Sequence, residues 1–264
     1  MGLFIAEDPL YDPEVRQTGF NRYKQLLSLH AGRWLRINLI TLLGALPLAA
    51  GIAVSLLSSS LLLLVPCCLA GGAVLGPFWA CLADSVLRAL RDASGGWWAN
   101  WRAAWKNNWR DSLLPGAVMG LFCGLYAFMC HLFWWAQAAP SLGTVCLFLF
   151  SVLLFVAILT LYWPQLVLFR QKNLVRLRNC LLFCIRHFAR VMGVGLLQMA
   201  YLAVMILFAP WTLLLLPVLG VWYIQFLAQF LLYDQLDEGF AIEESIKQAR
   251  AAGKGGSPAP GGEG

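Results

Sequence analysis

Charge is what this chain has least of. Residues 37–83, 112–169 and 191–233 contain no Lys, Arg, Asp or Glu, over 47, 58 and 43 residues. Charged residues make up 12% of the sequence and hydrophobic ones 60%. A soluble domain has roughly 25% and roughly 45–50% of these, so an ordinary soluble core is excluded. A bilayer span needs roughly 20 apolar residues, so each charge-free stretch holds two spans and one turn. The sequence therefore predicts an all-α polytopic membrane protein with six transmembrane helices in three hairpins.

Other absences narrow the function. No Asp or Glu lies inside a predicted span, which argues against the buried carboxylate relays of ion-coupled transporters. HExxH, GxSxG and the Walker A glycine loop are all missing, and with them the chemistry those spacings carry. His30, His131 and His187 are too scattered to form a base and its partner. No enzyme activity and no cofactor is expected. None of the eight Cys forms a CxxC pair, and six lie in apolar runs, where Cys behaves as a small hydrophobe. Free thiols are expected, with no disulfide framework. Glu7, Asp8, Asp12 and Glu14 precede the first apolar run. That run is long enough to span, so a cleavable signal is not expected.

What charge there is lies in four places. The 19 Lys and Arg fall before residue 37, in 84–111, in 170–190 and after 233. The turns expected inside the charge-free stretches, near 58–60, 137–143 and 209–212, carry none. All the cations then share one membrane face, which the positive-inside rule makes cytoplasmic, with both termini inside. The net charge of +6 points to a bilayer with anionic headgroups as partner, not to nucleic acid.

Three regions follow. Residues 1–36 form a cytoplasmic N-terminal leader, with an interfacial helix expected over 20–36. Residues 37–233 form the six-helix membrane domain, with spans near 37–57, 61–83, 112–134, 144–169, 191–208 and 213–233. Residues 234–264 form a cytoplasmic tail, with an amphipathic helix over 234–250 and Gly/Pro/Ser-rich disorder from about 253. The second and third spans, and the fourth and fifth, echo each other as span, Pro (Pro77, Pro164), basic aromatic segment, span. Any such repeat would be parallel.

Two inner loops are basic and aromatic. The first reads WWANWRAAWKNNWR over 97–110. Helical spacing puts Trp98, Trp101, Trp105 and Trp109 on one stripe and Arg102, Lys106 and Arg110 on another. Trp beside cations suits the headgroup level, and Trp with Arg also suits a protein interface. Lipid anchoring and partner docking both remain open. The second loop places Leu177, Leu181, Cys184 and Phe188 on one face, with Arg186 and Arg190 a turn apart and expected beside the cations of the first loop in one docking surface. Cys180, Cys184 and His187 are spaced i, i+4, i+7, but with no fourth ligand in view no metal is expected.

Within the spans, Gly72 and Gly76, and Gly116, Gly120 and Gly124, form GxxxG patterns that let helices approach closely. They would pack within the chain or join two copies as a homodimer. Gln165, Gln198, Gln225 and Gln229 would either line a polar path or hydrogen-bond between helices.

Several motifs in order carry a resemblance. DPLYDP at 8–13 is followed by GFNRY, then RWLRINLITLLGALPLAAG at 33–51. GPFWACLADSVLRAL follows at 76–90, WRAAWKNNWRDSLL at 101–114, and YWPQLVLFRQ with LRNCLLF at 162–183. Over residues 1–235 the chain resembles the YesL-like bacterial membrane proteins, domain of unknown function 624. The resemblance implies a bacterial inner-membrane protein of about six helices without an assigned activity. It also implies an association with ATP-driven carbohydrate uptake systems, and hence an accessory role beside a sugar transporter. An autonomous small-molecule permease is the alternative.

Overall fold

The computed structural model describes residues 18–93, 95–135, 140–209 and 211–244. They form α1 (Gly19–Leu57), α2 (Leu61–Leu90), α3 (Trp97–Trp135), α4 (Leu142–Leu168), α5 (Asn173–Arg186), α6 (Phe188–Leu207) and α7 (Trp211–Phe240). No strand occurs among the described residues. Every helix except α5 is long and apolar enough to cross a membrane. The architecture is an all-α multi-pass membrane protein.

The exposed surface requires lipid. The most apolar window of α4 has a mean hydropathy of 2.8, yet 6% of it is buried. Leu57 and Leu62 are each 88% exposed. In water such surface costs roughly 25 cal/mol per Å²; against acyl chains it costs nothing comparable.

Short polar turns separate the spans. The Ser60 hydroxyl accepts from the Leu63 N–H at 3.3 Å and caps α2. The Ser141 hydroxyl does the same for the Thr144 N–H of α4 at 3.2 Å. Each satisfies an amide that the helix start leaves without a partner. The expected turn over 137–143 lies partly outside the described residues, as does residue 210 of the next one.

Pro47, Pro66, Pro77, Pro115 and Pro164 sit inside helices without ending them. A proline removes one backbone donor, which a packed membrane bundle tolerates. Beyond Pro217, α7 does break: Gly220 has φ −7° and ψ −148°. Side chains take up the carbonyls there. The Asn38 amide donates to Leu216 and Pro217, at 2.8 Å each. Trp222 Nε1 donates to Val218 at 2.7 Å. The Tyr201 hydroxyl lies 3.0 Å from the carbonyls of both Leu219 and Gly220. A β-carbon on Gly220 would fall 2.6 Å from Asn38 Nδ2, so the close approach requires glycine.

Helix α2 packs most extensively against α3 and α1 and also touches α4 and α7. Its last turns, from Ala80 to Leu90, are buried on every side. The second half of α4 is buried in the same way over Thr160–Leu168. The bundle is therefore packed most densely at its charged end.

Three boundaries differ from those expected. Residues 20–36 do not form a separate interfacial helix; α1 runs unbroken from Gly19 to Leu57. Its basic half is held by packing: Trp34 stacks on Trp222 with centroids 5.5 Å apart, and Tyr23 stacks on Phe226 at 5.5 Å. Likewise the Trp-rich segment is the start of α3, collinear with the span that follows. At about 1.5 Å per residue, 39 residues reach about 58 Å. That exceeds a hydrocarbon core of about 30 Å, so α1 and α3 extend well beyond it. The second basic segment behaves differently: α5 ends at His187, whose φ of −117° and ψ of 35° separate it from α6. The tail helix expected over 234–250 is in part a continuation of α7 to Phe240, and residues 245–250 lie outside the described residues.

Candidate functional site

The charged end of the bundle holds the ion pairs, the tryptophan stack and a polar cleft, and the sequence-chosen residues distribute unevenly over it. Trp98, Trp101 and Trp105 form a continuous stack, at 5.3 Å and 5.2 Å between centroids. Trp105 also meets Phe78 of α2 edge-on at 4.8 Å. Much of this stripe is thus spent holding α3 to α2. Trp109, 40% exposed, faces out. Arg102, Lys106 and Arg110 are exposed along the other stripe. Arg102 lies over Trp98 and Arg110 over Trp109, at 5.6 and 5.0 Å.

Lys106 and Arg110 do not stand alone. They form one wall of a cleft of about 660 Å³ together with Asn107, Trp109 and Asp111. The other wall is the link from α4 to α5: Arg170, Gln171, Lys172 and Asn173. Arg176 is 1% exposed next to these walls, donating to Asn173 Oδ1 at 2.7 Å and to the Phe169 carbonyl at 3.3 Å. It also lies 3.8 Å from the Asp111 carboxylate. Arg186 and Arg190 are elsewhere: Arg186 pairs with Glu238 at 3.0 Å, and Arg190 is exposed at the start of α6. The structure therefore joins the first basic segment to 170–173, not to 186–190.

The buried face of α5 also differs from the expected one. Arg176, Cys180, Phe183 and Cys184 face inward, while Leu177, Leu181 and Phe188 are 39%, 44% and 58% exposed. Arg176 is anchored inside by Asn173 and Phe169, and that rotation turns the leucines outward. Burial pushes the Cys180 thiol up to about 12 and also raises Cys184. Cys180 Sγ accepts from Gln165 Nε2 at 3.2 Å. His187 packs on Phe183 at 4.7 Å. No group of three or more metal-binding side chains occurs among the described residues.

The four glutamines are buried, between 1% and 6% exposed for Gln165, Gln198 and Gln225 and 0% for Gln229. Thr160 of α4 joins three helices: its hydroxyl lies 2.9 Å from Gln198 Oε1 of α6, and its carbonyl accepts from Gln229 Nε2 of α7 at 2.8 Å. Gln165, Gln198 and Gln229 thus link helices, whereas Gln225 Nε2 is buried without a hydrogen-bond partner. Gly72, Gly76, Gly116, Gly120 and Gly124 likewise meet across one interface inside the chain. A β-carbon on Gly116 would fall 2.5 Å from the Gly72 carbonyl, and one on Gly120 2.5 Å from Gly72 Cα. The glycine face that could have joined two copies is covered by its own neighbour.

One group of functional interest escaped the sequence reading. Asp84 lies one residue past the charge-free stretch and is 1% exposed. It accepts from Arg88 Nε at 2.6 Å. Arg91, 5% exposed, sits close by. Burial lowers its pKa from the ordinary arginine value, and Asp84, Tyr233 and Glu243 oppose that. Arg22 of α1 reaches across to Asp92. The Asp84–Arg88 spacing of i, i+4 was a readable signal; the reach of Arg22 over seventy residues was not.

No family model, curated protein or solved structure matches this chain.

Proposed function

We propose that this membrane protein works as an accessory or interaction partner of a transport system, without catalysis of its own. One observation carries the reading. Arg102, Lys106 and Arg110 stand exposed on a helix made rigid by its tryptophan stack, and none of them makes an ion pair among the described residues. Preorganised cations of this kind favour a fast, oriented encounter with an acidic partner surface. The resemblance to YesL-like proteins supports a carbohydrate uptake system as the partner and the bacterial cytoplasmic membrane as the location, with the charged end inside.

Purification in mild detergent, with mass spectrometry of whatever stays bound, tests this. The wild type should retain a transporter component in fixed proportion. Charge reversal at Arg102, Lys106 and Arg110 should release it while the melting temperature stays unchanged. A wild-type preparation containing this chain alone, or a triple variant that binds as before, removes the docking role.

The break at Gly220 favours a second reading, an autonomous permease, because transporters place their sites at interrupted helices. Against it stand Gln165, Gln198 and Gln229, each with an amide atom bonded between helices, while Gln225 Nε2 has no partner. Single Cys probes at positions 165, 198, 225 and 229, in a background lacking other Cys, should resist a water-soluble thiol reagent. Rapid labelling at two or more of them would establish a water path and favour the permease.

A further inference from the structure

The cleft between α3 and the α4–α5 link is lined by Lys106, Arg110, Arg170 and Lys172, with Asp111 the one carboxylate. Asp111 is the acid nearest Arg176, whose guanidinium is buried at 3.8 Å from it, and Arg176 Nε has no hydrogen-bond partner. Four cations therefore converge on an open volume whose single negative charge already faces a fifth. The start of α5 adds to this. Its N-cap residue, Lys172, makes no side-chain cap, and its first turn carries no acidic residue. The positive end of the α5 dipole and its first free amides thus lie at the cleft, an arrangement suited to an anion.

We propose that this cleft binds a phosphate-bearing ligand, its phosphate held by Lys106, Arg110, Arg170 and Lys172 at the α5 N-terminus. A volume of about 660 Å³ falls in the range of small-ligand sites, roughly 300–1,000 Å³. Mixed Lys and Arg suit phosphate, arginine by paired hydrogen bonds and lysine as a point charge. The Trp109 ring on the wall offers an apolar surface to whatever the phosphate is attached to. The site lies on the bundle's charged end, where the ligand is either an anionic lipid headgroup or a soluble phosphate ester. This goes beyond the docking role but shares Lys106 and Arg110 with it, so the variants below are placed at Arg170 and Lys172, which the docking role does not use.

The test compares the full-length chain in nanodiscs of phosphatidylcholine alone and in nanodiscs with added phosphatidylglycerol. Retained lipid is read by native mass spectrometry. In a second arm, glycerol phosphate and inorganic phosphate are titrated onto the phosphatidylcholine sample by calorimetry. Saturable binding in either arm is expected, and which arm shows it identifies the source. Arg170→Gln with Lys172→Gln, both exposed, should weaken that binding at least tenfold. Arg178→Gln with Arg190→Gln removes the same charge outside the cleft and should change it less than twofold. Equal losses in the two double variants would reduce the effect to general charge attraction and overturn the site. So would the absence of saturable binding in both arms.

Discussion

Asp84→Ala should be among the most damaging single substitutions in this protein. The carboxylate is 1% exposed and holds Arg88 Nε at 2.6 Å, with Arg91 nearby. Breaking a buried pair by removing one partner costs about 3–5 kcal/mol, because the other charge is left buried without compensation. Arg88 would lose its partner, while Arg91 would keep Glu243 nearby, so the loss should fall within that range. Arg88→Met should cost less, since Asp84 would still face Arg91. Unfolding monitored in mild detergent would check both. An Asp84→Ala variant within about 1 kcal/mol of wild type, or an Arg88→Met variant worse than it, would show that the pair does not hold this end together.

Gly116→Ala should cost nearly as much for an opposite reason. Nothing polar is lost, but a β-carbon would fall 2.5 Å from the Gly72 carbonyl and 2.6 Å from Gly76 Cα. Both obstacles are backbone and cannot rotate away, so α2 and α3 must separate. Overpacking costs about 1–3 kcal/mol where side chains can yield; against backbone we expect about 3 kcal/mol, and Gly116→Leu should abolish the folded state. Helices in lipid lack a hydrophobic drive to associate and depend on close packing, so little else restores the pair. Gly32→Ala is the control. Nothing lies within 4 Å of its β-carbon position, and replacing a mid-helix glycine should stabilise by about 0.5–1 kcal/mol. Retention of the folded fraction by size-exclusion chromatography separates the two. Equal behaviour of Gly116→Ala and Gly32→Ala would mean that the glycine contact is not made.

The candidate site was legible in part. The cations of 102–110 could be placed on one helix face from spacing alone, and that face is exposed. Their cleft partners could not be found. Arg170 and Lys172 lie sixty residues further on, and only the packing of the α4–α5 link against α3 brings them there. For Trp101 and Trp105 the deciding neighbour is likewise distant in the chain. A tryptophan at the headgroup level and one packed on a neighbouring helix look the same in sequence, and Phe78 decides between them. On α5, helical periodicity suggested a leucine face, but the buried Arg176 rotates the helix so that Leu177 and Leu181 point outward. The glutamines allowed two readings, and the contacts of Thr160 favour the one in which they link helices.

The sequence by itself determined that the chain is a multi-pass helical membrane protein, how many helices are long and apolar enough to span, and which segments between them carry charge. Those properties follow from transfer free energy summed along the chain, residue by residue, and need no knowledge of neighbours. Only the tertiary structure decided which glycines meet, where α7 breaks, which arginines are buried and which cations share a cleft. Each of these depends on a contact between residues distant in the chain, and its energy exists only when both partners are in place.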